Sequence, residues 1–78
     1  MYMNRQSQLK EYIIQDIVYC IAEDSGVEYD EAMNRFYSSQ TFDKLQDSDT
    51  GLYLEGSAYV YGIFLDEMRY GSLEQVIL

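Results

Sequence analysis

The sequence predicts a single small all-α domain, a bundle of four helices. Three observations predict it: apolar residues recur at helical spacing, proline is absent, and glycine is sparse at five positions. A chain of 78 residues, 47% hydrophobic, has enough apolar side chains for one core and too few for a second. We place the helices at about 7–24, 28–37, 39–46 and 57–70, and we expect residues 1–6 to be flexible.

The first helix is the clearest element. Its apolar residues fill one side of a helical wheel: Leu9, Ile13, Ile14, Ile17, Val18, Cys20 and Ile21. The alternation of a strand fails where two apolar residues adjoin, at Ile13-Ile14 and Ile17-Val18. Gly26 suits a helix C-cap because glycine adopts the left-handed conformation at little cost.

The second helix should begin near Glu28, where the positive end of the helix dipole favours acidic side chains. Glu31 has the spacing to return a capping-box hydrogen bond to the backbone there. Its apolar face comprises Ala32, Met33, Phe36 and Tyr37. Ser38 or Ser39 is predicted to cap the short third helix.

Residues 47–51 have the composition of a turn. We expect residues 52–54 to form an extended connector that lays Leu52 and Leu54 on the core. Ser57 is the predicted N-cap of the fourth helix, whose apolar face includes Val60, Tyr61, Phe64, Leu65 and Met68. Gly71 is predicted to end it, and residues 72–78 to form a final short helical turn.

The charge pattern narrows the class of partner. Fourteen acidic residues oppose five basic ones, a formal charge of −9. Nucleic acids and anionic membranes are recognised largely by basic side chains, so neither is expected to bind. A basic protein surface is the favoured partner. The alternative is that the charge serves only solubility.

Location and redox environment follow from a few features of the chain. The longest apolar stretch, 17–22, is too short to span a bilayer. The N-terminal residues lead into a polar run and lack the apolar core of a signal peptide. Cys20 is the single cysteine, so an internal disulfide is impossible. We therefore predict a cytoplasmic protein.

Groups typical of catalysis are missing from the sequence. Histidine is absent, which excludes Ser–His and Cys–His nucleophilic arrangements. Cys20 falls on the apolar side of the first helix, where an inert thiol is expected. The five glycines are isolated, so no phosphate-binding loop is present. We predict a protein that is not an enzyme and has no cofactor or metal.

One triplet needs comparison with known sites. Asp49-Thr50-Gly51 matches the aspartic-protease triplet, but that chemistry requires two such aspartates, usually on β-rich scaffolds. Counted from Asp47 as a calcium loop, the sixth and twelfth positions hold Leu52 and Ala58 instead of glycine and glutamate. A tight turn explains the triplet better.

The candidate interface combines acidic and tyrosine residues. An acidic block spans the first interhelical turn and is joined by one tyrosine: Glu23, Asp24, Glu28, Tyr29, Asp30 and Glu31. Nine tyrosines are present; among them Tyr12 and Tyr19 share a flank of the first helix, and Tyr59 and Tyr70 a flank of the fourth. Tyrosine is enriched at interfaces. The alternatives are a solvated acidic end and tyrosines that roof the core.

Glu67 falls inside the apolar arc of the fourth helix. One interpretation places it at the edge of the core or paired with Arg35 or Lys44. The other is an interface carboxylate that awaits a basic partner. An unpaired carboxylate in a dry core would be costly, so we do not expect Glu67 to be buried alone.

Four segments carry a resemblance to known proteins: VYCIAE at 18–23, FYSSQTFDKL at 36–45, TGLY at 50–53 and EGSAYVY at 55–61. The chain resembles a group of short bacterial proteins of unknown function that are often encoded near toxin-like partners. The resemblance implies an antitoxin-like or accessory role. It assigns no catalytic residue.

Three functional hypotheses follow. The first is a non-catalytic interaction module, antitoxin-like or a regulatory subunit, that binds a basic protein surface through the acidic block and the tyrosines. The second is an inhibitor that mimics nucleic acid, which requires carboxylates spaced like phosphates on one face. The third is a structural homodimer.

Overall fold

The computed structural model describes residues 5–71 and confirms the all-α prediction. Its four α-helices are α1 (Arg5–Ser25), α2 (Tyr29–Tyr37), α3 (Gln40–Gln46) and α4 (Ser57–Tyr70). Two 3₁₀ helices, Ser48–Thr50 and Leu52–Leu54, join α3 to α4. No strand occurs in this part of the chain, and none of its helices has the length and apolar character to cross a membrane.

The core forms where α1 packs against α2 and α4. The predicted apolar side of α1 supplies five buried residues: Ile13, Ile14, Ile17, Val18 and Ile21. Phe36 of α2 is fully buried and meets Phe42 and Phe64 edge-to-face, with ring centroids 5.6 and 5.7 Å apart. These contacts join α2, α3 and α4. The edge-to-face geometry is the one that the quadrupoles of aromatic rings favour.

The start of α1 differs from the prediction. Arg5 and Gln6, assigned to a flexible segment, are helical. The Gln6 side chain donates to the Tyr53 hydroxyl at 2.9 Å and accepts from the Ser48 hydroxyl at 3.0 Å. These hydrogen bonds tie the first turn of α1 to the segment before α4, which sequence periodicity cannot reveal.

The helix caps were predicted in part. Ser39 caps α3, its Oγ accepting from the Phe42 N–H at 3.1 Å. Glu28 caps α2 without a side-chain bond, so the predicted capping box was wrong: Glu31 instead accepts from Arg35 at 3.1 Å. Ser57 is the first residue of α4 rather than its cap.

The connector at 52–54 was predicted wrongly as extended. It forms a 3₁₀ helix that buries Leu52 and leaves Leu54 68% exposed. Side chains two residues apart in a 3₁₀ helix do not share a side, so only one leucine faces the core. Gly51, at φ +67°, supplies the left-handed turn that separates the two 3₁₀ helices.

The glycine stops of the two long helices were predicted correctly. Gly26 and Gly71 follow α1 and α4 with φ of +67° and +79°, and their N–H groups bond to the carbonyls of Ala22 and Glu67. The helical turn predicted at 72–78 lies outside the described residues.

Candidate protein interface

The acidic block is exposed throughout, at the end of α1 and the beginning of α2. Two of its carboxylates have partners: Asp24 accepts from the Tyr61 hydroxyl at 2.5 Å, and Glu31 pairs with Arg35. The side chains of Glu23, Glu28 and Asp30 make no hydrogen bond or ion pair within the described part of the chain. These three carboxylates are therefore available to a cationic surface. We call the block and Tyr29 (45% exposed) the acidic end.

The predicted tyrosines lie on the surface. Tyr12 and Tyr19 are 63% and 59% exposed and are separated by about two turns of α1. Glu23 follows Tyr19 by about one further turn, so a tyrosine flank on α1 leads to the acidic end. Tyr59 and Tyr70 of α4 are also more than half exposed. Burial in the core does not explain these four residues.

Two hydroxyl–carboxylate hydrogen bonds join α1 to α4. Asp16 accepts from Ser57 at 2.6 Å, and Asp24 accepts from Tyr61. Burial, followed by the hydrogen bond to Asp24 and its charge, raises the pKa of Tyr61 from 10.0 to about 12. The phenol is therefore a protonated donor at neutral pH. One oxygen of the Asp24 carboxylate is already hydrogen-bonded within the fold.

Cys20 lies one turn from both Asp16 and Asp24 and is half-buried. Burial, with the negative charges of Asp24 and Asp16, raises the pKa of the Cys20 thiol above 9.0. A nucleophilic cysteine needs the opposite environment. Among the described residues, no group of three or more Cys, Asp and Glu side chains is arranged to hold a metal ion.

The position of Glu67 differs from both sequence interpretations, the edge of the core or a pair with a base and the interface carboxylate. It is 6% exposed, does not pair with Arg35 or Lys44, and is turned inward rather than toward an interface. Its carboxylate accepts from the Gln40 N–H at 2.7 Å, the Thr41 N–H at 2.9 Å and the Thr41 hydroxyl at 2.8 Å. These groups form the beginning of α3, where N–H groups lack helical acceptors. Glu67 thus fastens α4 to the N-terminus of α3.

No protein-family model matches the chain, and no curated protein or solved structure matches it significantly.

The structure also places a second surface that the sequence analysis missed. An open groove of about 1000 Å³ runs between α4 and the region of Lys44, Thr50 and Leu52. On its α4 side, Gly62 lies between Tyr59 and Leu65. The available signal was the composition of α4, which is apolar on nearly every side although the helix buries only one.

The carboxylates do not favour nucleic-acid mimicry. Outside the acidic end, those described are divided among α1, α3, the segment 47–55 and α4. Glu67 is buried, and Asp16 is hydrogen-bonded to Ser57. A mimic of the phosphate backbone needs a continuous row of free carboxylates, and this distribution offers none.

Proposed function

We propose that this protein is a non-catalytic interaction module that binds a basic protein surface through its acidic end and the tyrosine flank of α1. An antitoxin-like or regulatory subunit is the kind of protein that works in this way. The observation that carries the proposal is the set of unpaired, exposed carboxylates Glu23, Glu28 and Asp30, beside the exposed ring of Tyr29.

Electrostatics supports this end as the binding region. Arg35 is the one basic side chain that pairs with it in the described residues, and it neutralises only Glu31. A cluster of like charges steers an oppositely charged protein during encounter and raises its association rate. The acidic end therefore favours a partner rich in lysine and arginine.

The tyrosines supply the apolar contact that charge alone lacks. Exposed Lys–Glu pairs contribute little affinity, whereas buried aromatic side chains are frequent hot spots. Tyr29 belongs to the acidic end, Tyr19 lies about one turn before Glu23 on α1, and both rings are exposed. We propose that their rings are covered by the partner while the carboxylates set its orientation.

The test uses the full chain as bait in an extract of its native host, at low and at high salt. The variant replaces Glu23→Gln, Glu28→Gln and Asp30→Asn. A matched control makes the same charge change elsewhere on the exposed surface, with Glu11→Gln, Asp43→Asn and Asp49→Asn. We expect a basic protein, identified by mass spectrometry, that the wild type and the control retain and the acidic-end variant loses.

Two results would contradict the proposal. Recovery of chaperones alone at low salt would mean that no dedicated basic partner exists. Equal loss of the partner by both charge variants would mean that net charge, not the acidic end, governs binding.

A further inference from the structure

The exposed side of α4 is more apolar than the surface of a free helix should be. Leu65 and Met68 are 43% and 52% exposed, and Leu54 just before the helix is exposed as well. These three are the only large aliphatic side chains that the described residues expose, and all lie in or beside α4. A soluble helix normally turns such residues toward its core, so this side lacks a covering element.

Gly62 lines the groove with Tyr59 and Leu65, and no contact inside the chain requires glycine there. Its backbone is helical, and a Cβ added there would meet no atom within 4 Å. Glycine destabilises a helix interior relative to alanine, so a position with free space and ordinary backbone angles favours a larger residue. Glycine at a helix surface permits the close approach of a second backbone.

We infer that α4 is a self-association surface, on which a second copy of the chain packs its own α4 antiparallel, with the two helices crossing at Gly62. A two-fold axis through Gly62 places residues at equal distances before and after it opposite one another. Tyr59, three residues before, then faces Leu65, three residues after.

Charge complementarity selects a second copy as the occupant. Glu55 lies seven residues before Gly62 and Arg69 seven residues after it. Both are exposed, and neither forms an ion pair within the described residues. Glu55 lies two residues before α4 and Arg69 lies in its last turn, so an antiparallel pairing brings Glu55 of one copy toward Arg69 of the other. The axis generates two such pairs.

The charge balance on this side of α4 also favours a second copy of the chain as the partner. The charged side chains that line the groove are Lys44, Asp66 and Arg69, and with Glu55 just before α4 these four charges sum to zero, on a chain whose net charge is −9. Two copies therefore meet here without the repulsion that their other surfaces impose. A strongly basic partner gains nothing at a neutral side and favours the acidic end.

The length of α4 sets the expected affinity. Fourteen residues span about 21 Å, and a contact along one such helix falls below the standard interface size of about 800 Å² per partner. We expect a weak dimer with a dissociation constant of about 10 µM, in keeping with a small interface.

Sedimentation equilibrium of the full chain, from about 1 to about 500 µM, tests the inference. Leu65→Lys and Gly62→Gln each introduce bulk or charge at exposed positions and should weaken the dimer at least about tenfold. Tyr12→Gln, at an exposed site on α1, is the control and should leave association unchanged.

A charge exchange tests the antiparallel register. Arg69→Glu and Glu55→Arg should each weaken association about tenfold, since each brings like charges together, and the double variant should restore it. A chain that is monomeric at every concentration overturns the inference. So does a dimer insensitive to Leu65→Lys, or a double variant no better than the single ones. The inference stands apart from the acidic end, because Leu65→Lys leaves that surface intact.

Discussion

The carboxylate of Glu67 accepts both the backbone N–H and the side-chain hydroxyl of Thr41, at 2.9 and 2.8 Å. At the opposite end of α3, the Lys10 ammonium donates to the carbonyl of Gln46 at 2.8 Å. An anion thus lies at the N-terminus of α3 and a cation at its C-terminus, the arrangement that the helix dipole favours. A seven-residue helix is not stable alone, so these two contacts help explain why α3 forms.

Glu67→Gln should destabilise the fold by about 2 kcal/mol, because a buried charged acceptor is lost and the amide presents N–H groups to N–H donors. Urea unfolding followed by circular dichroism measures this change. Glu11→Gln is the control at an exposed position and should cost less than about 0.5 kcal/mol. Equal stability of Glu67→Gln and the wild type would show that the carboxylate does not hold α3.

Lys10→Met should destabilise the fold by about 0.5–1 kcal/mol, since it removes the hydrogen bond to the end of α3 and the cation over the Tyr53 ring, 5.5 Å from its centroid. Lys44→Met is the control, because it also removes one positive charge, from a lysine within α3 itself. If the two variants have the same free energy of unfolding, the cap at Gln46 contributes nothing specific.

The phenol of Tyr61 should titrate at a higher pH than an ordinary tyrosine. Because its folded pKa of about 12 exceeds the ordinary 10.0, its contribution to stability is complete below about pH 10 and is lost as the pH rises through about 12. Absorbance near 295 nm should show one late-titrating phenol that disappears in Tyr61→Phe and persists in Tyr12→Phe. A late step unchanged by Tyr61→Phe would assign it to another residue.

Cys20 should react slowly with an aromatic disulfide reagent at neutral pH, because burial and the charges of Asp24 and Asp16 raise its pKa. Asp16→Asn should increase the rate by lowering the pKa. Unfolded protein in urea provides the reference rate. Reaction of the folded protein as fast as that reference would contradict the assigned environment.

Gly62→Ala should stabilise the dilute monomer by roughly 0.5–1 kcal/mol, since helix propensity improves and the added Cβ meets no atom within 4 Å. Gly71→Ala should do the opposite, because Gly71 ends α4 at φ +79°. Urea unfolding at low micromolar concentration compares the two. Destabilisation by Gly62→Ala would mean that the chain itself requires glycine there.

Much of the candidate interface could be predicted from the sequence. Exposure of the acidic end follows from charge, since a block of like charges is costly to bury. The tyrosines on α1 follow from helical spacing, which places Tyr12 and Tyr19 opposite the isoleucine side. The sequence left open whether Glu67 belonged to this surface, because a wheel gives the direction of a side chain but not the element it meets.

The sequence by itself determined the four helices, the glycine stops of α1 and α4 and the apolar side of α1, because spacing and capping act over a few neighbouring residues. Only the tertiary structure decided that Glu67 binds the beginning of α3, that Leu54 is exposed, and that Gly62 lies in a groove. The exposure of Leu54 follows from the 3₁₀ conformation of residues 52–54. The contact of Glu67 and the groove at Gly62 depend on groups far apart in the chain, where the orientation of one helix against another decides which side chains meet.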